Sequence, residues 1–304
     1  MKDYNDLQSL RFFVSIVESG SLSAAARQLD LTTSALSQRL RQLETNLGVR
    51  LLDRSTRRIQ LTEEGEVLFQ RGSVLLKDFE ELISDLRERS GQLVGALRIF
   101  GPLGFGRRYL APIVAEFHSM HPDLDISLTL ADRFSAHASD RFDLVIHIGE
   151  LQESNWIVYP IAPNSRVLCA APQYFQENPP LERPEDLTHH QCLVLRENDE
   201  DVTLWQFSQG DDVRRIRVTP SLSANDGEVV KQWALAGKGL IVRSEWDVAL
   251  NLRSGSLVQA LPDWKLQEAD VVALAPHRVG MPLRLKTFVT FLQNKFKPTP
   301  PWRK

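Results

Sequence analysis

A chain of 304 residues exceeds the usual size of one domain, so two or three packed units are expected. Its 42% hydrophobic and 25% charged content is ordinary for a soluble globular protein, and no segment approaches the roughly 18 uninterrupted apolar residues that would suggest a membrane span. Net charge is only −3, but residues 1–62 hold nine Lys or Arg against six acids, leaving that segment at +3 and the remainder at −6, as suits a phosphate-contacting head on a non-binding body.

The segment from Met1 to Phe13 carries Asp3 and Asp6 and no continuous apolar run. It does not read as a secretory leader, so the chain is expected to stay in the cytoplasm. Leu10, Phe13, Val14 and Val17 form the apolar stripe of a first helix that Gly20 ends. Ser21 is placed to cap a short second helix, Leu22 to Leu29, whose Ala24, Ala25 and Ala26 permit close approach of a neighbour. Asp30-Leu31-Thr32 has room only for a tight turn, after which Thr32 or Thr33 caps a third helix reaching about Leu47. Two helices joined by a three-residue turn make a helix-turn-helix.

The third helix has two faces. Leu36, Leu40, Leu43 and Leu47 follow spacings of four, three and four and point inward. Ser34, Ser37, Gln38 and Arg41 follow the same rhythm on another face, with Thr32 and Thr33 at its start. These groups are of the kind that reach base edges in a major groove, although Ser and Gln alone more often furnish a solvated surface. The following segment weighs for the groove. Leu51-Leu52 and Ile59-Gln60-Leu61 read as short strands around a tip carrying Arg54, Thr56, Arg57 and Arg58. Such a wing suits flanking phosphates or a narrow minor groove, so double-stranded DNA is the expected partner.

The runs Leu10-Arg11-Phe12-Phe13, Glu18-Ser19-Gly20-Ser21, Ala24-Ala25-Ala26, Thr33-Ser34-Ala35-Leu36-Ser37, Leu43-Glu44, Leu47-Gly48, Leu51-Leu52 and Leu61-Thr62-Glu63-Glu64-Gly65, with Leu29 and Arg54, resemble the N-terminal domain of the LysR-type transcriptional regulators of bacteria. The resemblance extends in length and later pattern over the whole chain. Leu52 stands where many members carry Phe, a difference expected to touch packing more than binding.

After Thr62, acids Glu63, Glu64 and Glu66 open a helix of about 63–89, with Leu68, Leu75, Phe79, Leu82 and Leu86 as a heptad seam and Gly65 and Gly72 at intervening seam positions. Such a seam packs on its own chain or pairs two chains. The resemblance implies a homodimer here, with dimers commonly assembling into homotetramers.

From Gly91 onward strands and helices alternate: strands at 96–100, 125–130, 143–148, 166–171, 239–242 and 269–275, and helices at 107–121, 227–236 and 281–297. Cys169 and Cys192 fall in apolar, strand-like contexts, which reads as small core residues with free thiols rather than a redox pair. The expected fold is α+β overall: a winged helix-turn-helix over 1–62, a linker helix over 63–90 and an α/β body over 91–304. The resemblance implies that this body has two lobes like those of periplasmic binding proteins, one of 93–163 plus 268–304 and one of 164–267, with a small-molecule effector between them.

Strand-to-helix turns offer free amides to an anion. Gly101 to Gly106 contributes Pro102, Leu103, Gly104 and Phe105 as candidate effector contacts, and Ser223 to Gly227 contributes Asn225 and Asp226. Asp226 reads first as an N-cap. Arg133, Phe134, His147 and Gly149 follow their strands in the same way, and His147 is equally suited to a ligand carboxylate or a structural hydrogen bond. A small anionic or zwitterionic metabolite is expected, with no cofactor. No His-Glu-x-x-His, Gly-x-Ser-x-Gly or Cys-x-x-Cys occurs, and no carboxylate or thiol completes a metal site with His118 and His121, so an enzyme is not expected. A ligand-responsive transcription factor leads over a transport solute-binding protein, which would need export, and over an architectural DNA binder that ignores metabolites.

Overall fold

The computed structural model describes residues 7–53, 59–88, 93–132, 141–151, 156–196, 202–276 and 281–304. The chain forms two compact units, Met1–Gln92 and Leu93–Lys304.

In the first unit, α1 (Leu7–Glu18), α2 (Leu22–Gln28) and α3 (Thr33–Leu47) enclose a core of Phe12, Phe13, Ile16, Ala25, Ala26, Leu36, Leu40 and Leu43. Their ends are set locally. Ser21 accepts the Ala24 amide at 3.2 Å and Thr32 accepts the Ala35 amide at 3.1 Å, so Thr32 rather than Thr33 caps α3. Past α2 the chain turns on Asp30, at φ +52, while the Leu31 amide reaches back to the Ala26 carbonyl at 2.8 Å. This αL closure satisfies a helix-end carbonyl and sets the angle at which α3 departs. Strands β1 (Leu52–Asp53) and β2 (Gln60–Leu61) pair antiparallel, Leu52 opposite Leu61.

Helix α4 (Glu63–Glu88) follows. Its glycines do not belong to an outward seam. A Cβ on Gly72 would lie 2.4 Å from Leu10 Cδ1, and one on Gly65 would lie 2.0 Å from the Leu51 carbonyl oxygen. Both mark the face pressed against the helix-turn-helix, where Leu76 is buried too. Val67, Val74, Leu75, Phe79 and Leu82 stay exposed. The Leu86 side chain lies outside the described residues.

The second unit has two lobes. In lobe one, β3 (Gly95–Gly101) lies between and parallel to β4 (Leu124–Leu130) and β5 (Leu144–Ile148). Between β3 and β4 runs one continuous helical stretch: α5 (Leu103–Phe105), a π-helical turn over Gly106–Leu110, and α6 (Ala111–Met120). Strand β6 (Trp156–Ala162) carries the chain towards lobe two. There β7 (Arg166–Ala170), α7 (Pro172–Glu177), β8 (Cys192–Leu195), β9 (Leu204–Gln209), β10 (Asp212–Arg217), β11 (Pro220–Ala224), α8 (Gly227–Leu235), β12 (Leu240–Ser244), α9 (Glu245–Ser254), β13 (Val258–Gln259) and β14 (Lys265–Leu266) build a five-stranded sheet, order β11-β8-β12-β7-β13, and a three-stranded one, order β10-β9-β14. The chain then returns as β15 (Val271–Pro276), antiparallel between β5 and β6, and closes with α10 (Leu283–Phe296).

The two crossovers meet at Asn164, which is almost fully buried. Its amide donates to Asp270 at 2.9 Å, its side-chain nitrogen donates to the Ala269 carbonyl at 2.7 Å, and its side-chain oxygen accepts the Trp246 amide at 3.2 Å. Helix α9 is shared by both lobes. Trp246 and Ala249 enter the core of lobe one, whereas Val248 and Leu252 pack in lobe two. Cys169 and Cys192 are free and buried, and burial pushes each thiol up to about 12.

Candidate functional site

The exposed face of α3 presents Thr33, Ser34, Gln38 and Arg41 to solvent, with Ser37 half-buried among them and Thr32 engaged at the cap. Arg39 leaves this face and lies over the Phe12 ring at 4.5 Å, so its charge is used in packing. The far end of the helix is tied to the wing by Glu44, a buried carboxylate. Its Oε1 accepts the amides of Leu51 at 2.9 Å and Leu52 at 3.3 Å. Thr62 continues the brace, donating to the Arg50 carbonyl at 2.7 Å and accepting the Gly65 amide at 3.0 Å. The expected wing contacts Arg54, Thr56, Arg57 and Arg58 lie outside the described residues, as do Arg133 and Phe134.

In the second unit a cavity of about 360 Å³ opens where strands end and helices begin. Lobe one lines it with Pro102, Leu103, Gly104, Phe105, Arg107, Arg108 and Asp132, and lobe two with Asp226, Gly227, Glu228, Lys231 and Arg243. Trp246 and Asp247 of α9 complete the wall. Of the expected effector residues, Pro102 to Phe105 and Asp226 come together here. Asn225, His147 and Gly149 do not; the His147 ring nitrogen Nε2 instead lies 2.9 Å from the Glu150 carbonyl.

Two expectations change at this cavity. The segment from Gly101 to Gly106 is not a loop, because helix begins at Leu103, with Pro102 as the flanking extended residue. Its glycines serve close packing: a Cβ on Gly106 would fall 2.1 Å from Leu130 Cδ2, and one on Gly104 would fall 3.1 Å from the Trp246 ring. Carboxylates also engage both helix starts. Asp132 accepts the Leu103 amide at 2.9 Å, and Asp226 accepts those of Glu228 at 2.7 Å and Val229 at 3.2 Å. Free amides are therefore scarcer than the turns suggest, and the polar groups left to the cavity are mainly side chains.

Those side chains differ in how firmly they are committed. Asp247, nearly fully buried, holds Lys231 Nζ at 2.7 Å on one oxygen and Arg243 Nη2 at 2.8 Å on the other. Lys231 also meets Glu228 at 2.7 Å. This contact, with a second from Gln232, holds the Glu228 carboxyl below its usual range. Arg108 donates to the Asp247 backbone carbonyl at 3.2 Å, and its guanidinium lies 5.5 Å from the Tyr109 ring centre. Arg107 is exposed at the rim, with no ion pair among the described residues. Arginines on lobe one thus face a lysine on lobe two that is already shared by two carboxylates. The residues not foreseen here, Arg107, Arg108, Asp132, Lys231, Arg243, Trp246 and Asp247, are charged or aromatic groups, with Lys231 in the middle of α8 and Arg107 and Arg108 inside the π-helical turn. Among the described residues, no group of three or more His, Cys, Asp or Glu is placed to hold a metal.

Residues 7–66 match the sequence model described as bacterial regulatory helix-turn-helix protein, lysR family, and residues 90–297 match the LysR substrate binding domain. The HTH-type transcriptional activator TtdR of Escherichia coli (strain K12) is 36% identical over 285 residues, 94% of this chain and 92% of that protein. The regulator DmlR of the same strain is 34% identical, over 95% of this chain and 94% of its own. Among solved structures, the full-length Vibrio cholerae virulence activator AphB superposes with a TM-score of 0.62 at 26% identity, covering 95% of this chain and 99% of that one. CrgA from Neisseria meningitidis gives a TM-score of 0.60 at 27% identity, with 96% and 99% covered.

Proposed function

Because the chain belongs to the LysR-type transcriptional regulators, which join a DNA-binding helix-turn-helix to an effector-binding domain and are not enzymes, we propose that it binds double-stranded promoter DNA as a homodimer or homotetramer and responds to a small anionic or zwitterionic metabolite held between its two lobes. The exposed row of Thr33, Ser34, Gln38 and Arg41 on α3 supports base-edge contact, and the arginines of the wing support contact with phosphates. The exposed apolar residues Val67, Val74, Leu75, Phe79 and Leu82 of α4 support pairing of two chains through that helix.

The observation that carries the effector reading is the pairing of Arg107 and Arg108 on one lobe with Lys231 on the other across a 360 Å³ space. A bound carboxylate engages the arginines directly, and a cationic group on the same molecule finds Asp226 and Glu228 opposite. No helix among the described residues is long and apolar enough to cross a membrane, and action on DNA agrees with a cytoplasmic place. A thermal-shift screen of small carboxylates and amino acids tests the proposal. A binder raises the melting temperature of the parent and not of Arg108→Ala, whereas a compound that stabilises both equally binds elsewhere.

A further inference from the structure

We propose that Trp302 and Arg303 are positioning residues that hold the two lobes at a set angle by strapping the crossover at residues 163–165 to α9; the consequence for the cavity rests on the effector reading above. The segment Pro301–Arg303 lies beyond α10 and lines no part of the cavity. Yet each of its anchors is at the junction between lobes. The Trp302 indole nitrogen donates to the Pro163 carbonyl at 3.2 Å. Arg303 donates to Ser165 Oγ at 3.1 Å and makes a two-pronged pair with the Glu245 carboxylate, Nε at 2.9 Å and Nη2 at 2.8 Å from Oε2. The same junction is closed from inside by the Glu245 amide, which donates to the Ser165 carbonyl at 2.8 Å, and by the Trp246 amide on Asn164. Arg253, in the last turn of α9, reaches the Lys304 carbonyl, so both ends of α9 are tied to this segment.

The strap reaches the cavity through rings. Trp302 packs in the core of lobe one with its ring centre 5.2 Å from Tyr109 and 6.1 Å from Phe105. Phe105 stands edge-on to Trp246 at 5.4 Å, and both Phe105 and Trp246 line the cavity. Any rotation of lobe two about residues 163–165 moves α9, and α9 cannot move without breaking the Arg303–Glu245 pair or sliding Trp246 past Phe105 and Tyr109, the two rings that Trp302 also packs against. A few packed rings and one bidentate ion pair give such a junction discrete rather than continuous positions.

The test is the distance between nitroxide labels on cysteines introduced at exposed Ser119 in lobe one and exposed Lys238 in lobe two, measured by pulsed electron resonance on the full chain without effector. The native thiols, buried and shifted to about 12, remain unlabelled. With labelled chains diluted into an excess of unlabelled ones, so that each assembly carries at most one labelled protomer, the parent is expected to give one narrow distribution. Arg303→Ala is expected to broaden it or shift its mean by more than about 2 Å, the scale on which hinge closures register, while Arg303→Lys, which keeps the charge but not the fork, gives an intermediate width. Trp302→Leu is expected to act in the same direction, and because Trp302 is buried, the exposed Arg303 supplies the decisive variant should that protein fail to fold. Identical distributions in parent and Arg303→Ala overturn the strap. That outcome leaves the effector reading standing, since no ligand enters the measurement; a normal strap in a protein that no metabolite stabilises would instead count against the effector reading alone.

Discussion

Glu44, in the last turns of α3, accepts the backbone amides of Leu51 and Leu52 on one carboxylate oxygen, at 2.9 and 3.3 Å. The helix that presents the polar face and the strand that launches the wing are thereby fixed to each other by a buried group rather than by sequence proximity alone. Glu44→Ala leaves two buried amides without this acceptor. It is expected to destabilise the first unit by about 1–3 kcal/mol and to speed hydrogen exchange at Leu51 and Leu52. Unchanged exchange at both amides would show that the brace is dispensable.

Asp247 neutralises two cations that are themselves nearly buried, Lys231 and Arg243. Removing the shared partner strands both charges, so Asp247→Ala is expected to cost about 3–5 kcal/mol in urea unfolding. A loss below about 1 kcal/mol would mean that solvent or Glu228 takes over the role.

Stability should depend on pH through His190. The ring is buried, with Nδ1 3.1 Å from the Tyr174 hydroxyl, and burial holds its pKa below the ordinary value, partly opposed by the Pro180 carbonyl. A histidine depressed in the folded state binds fewer protons there than when unfolded. Its full contribution is therefore present above about pH 6.5, the unfolded value, and is lost as pH falls from there towards the lower folded value. Melting temperatures of the parent should drop faster over that interval than those of His190→Gln. Parallel curves would remove His190 from the account.

Leu75 and Phe79 lie exposed along α4, 59% and 40% accessible. If this face pairs two chains, Leu75→Glu combined with Phe79→Glu lowers the mass seen by light scattering to that of smaller assemblies. An unaltered mass would place the subunit contact elsewhere.

Much of the first unit was legible because its determinants are local. The four-three-four spacing of Leu36, Leu40, Leu43 and Leu47 marks the inner face of α3, and Ser21 and Thr32 cap the helices that follow them. What spacing could not give is which surface a small residue meets. Gly65 and Gly72 read as positions in a heptad seam that either packs on its own chain or pairs two chains, and it is Leu51 and Leu10 of the same chain that press against them. Gly104 and Gly106 read as turn residues, but they sit in helical backbone against Trp246 and Leu130. The cavity was half visible. Pro102 to Phe105 and Asp226 follow directly on strands, a rule the sequence obeys, whereas Lys231, Arg243 and Asp247 converge only because β11, β8 and β12 run side by side. Strand β10 gave no apolar alternation to follow, four consecutive residues being exposed, whereas β9 buries Trp205 and Phe207 in alternation, too short a signal to have been singled out in the sequence.

On the proposed reading, the polar face of α3 reads duplex sequence while the wing arginines hold phosphate. Fluorescence anisotropy across a series of salt concentrations decides it, using a duplex from the region upstream of the protein's own coding sequence and a scrambled duplex of equal length. The parent is expected to prefer the upstream duplex, Gln38→Ala to lose about 1–3 kcal/mol on it alone, and Arg57→Ala to weaken both duplexes alike while lowering the salt slope by about 1. Equal losses on both duplexes for both variants, or no binding to either at low ionic strength, would contradict it.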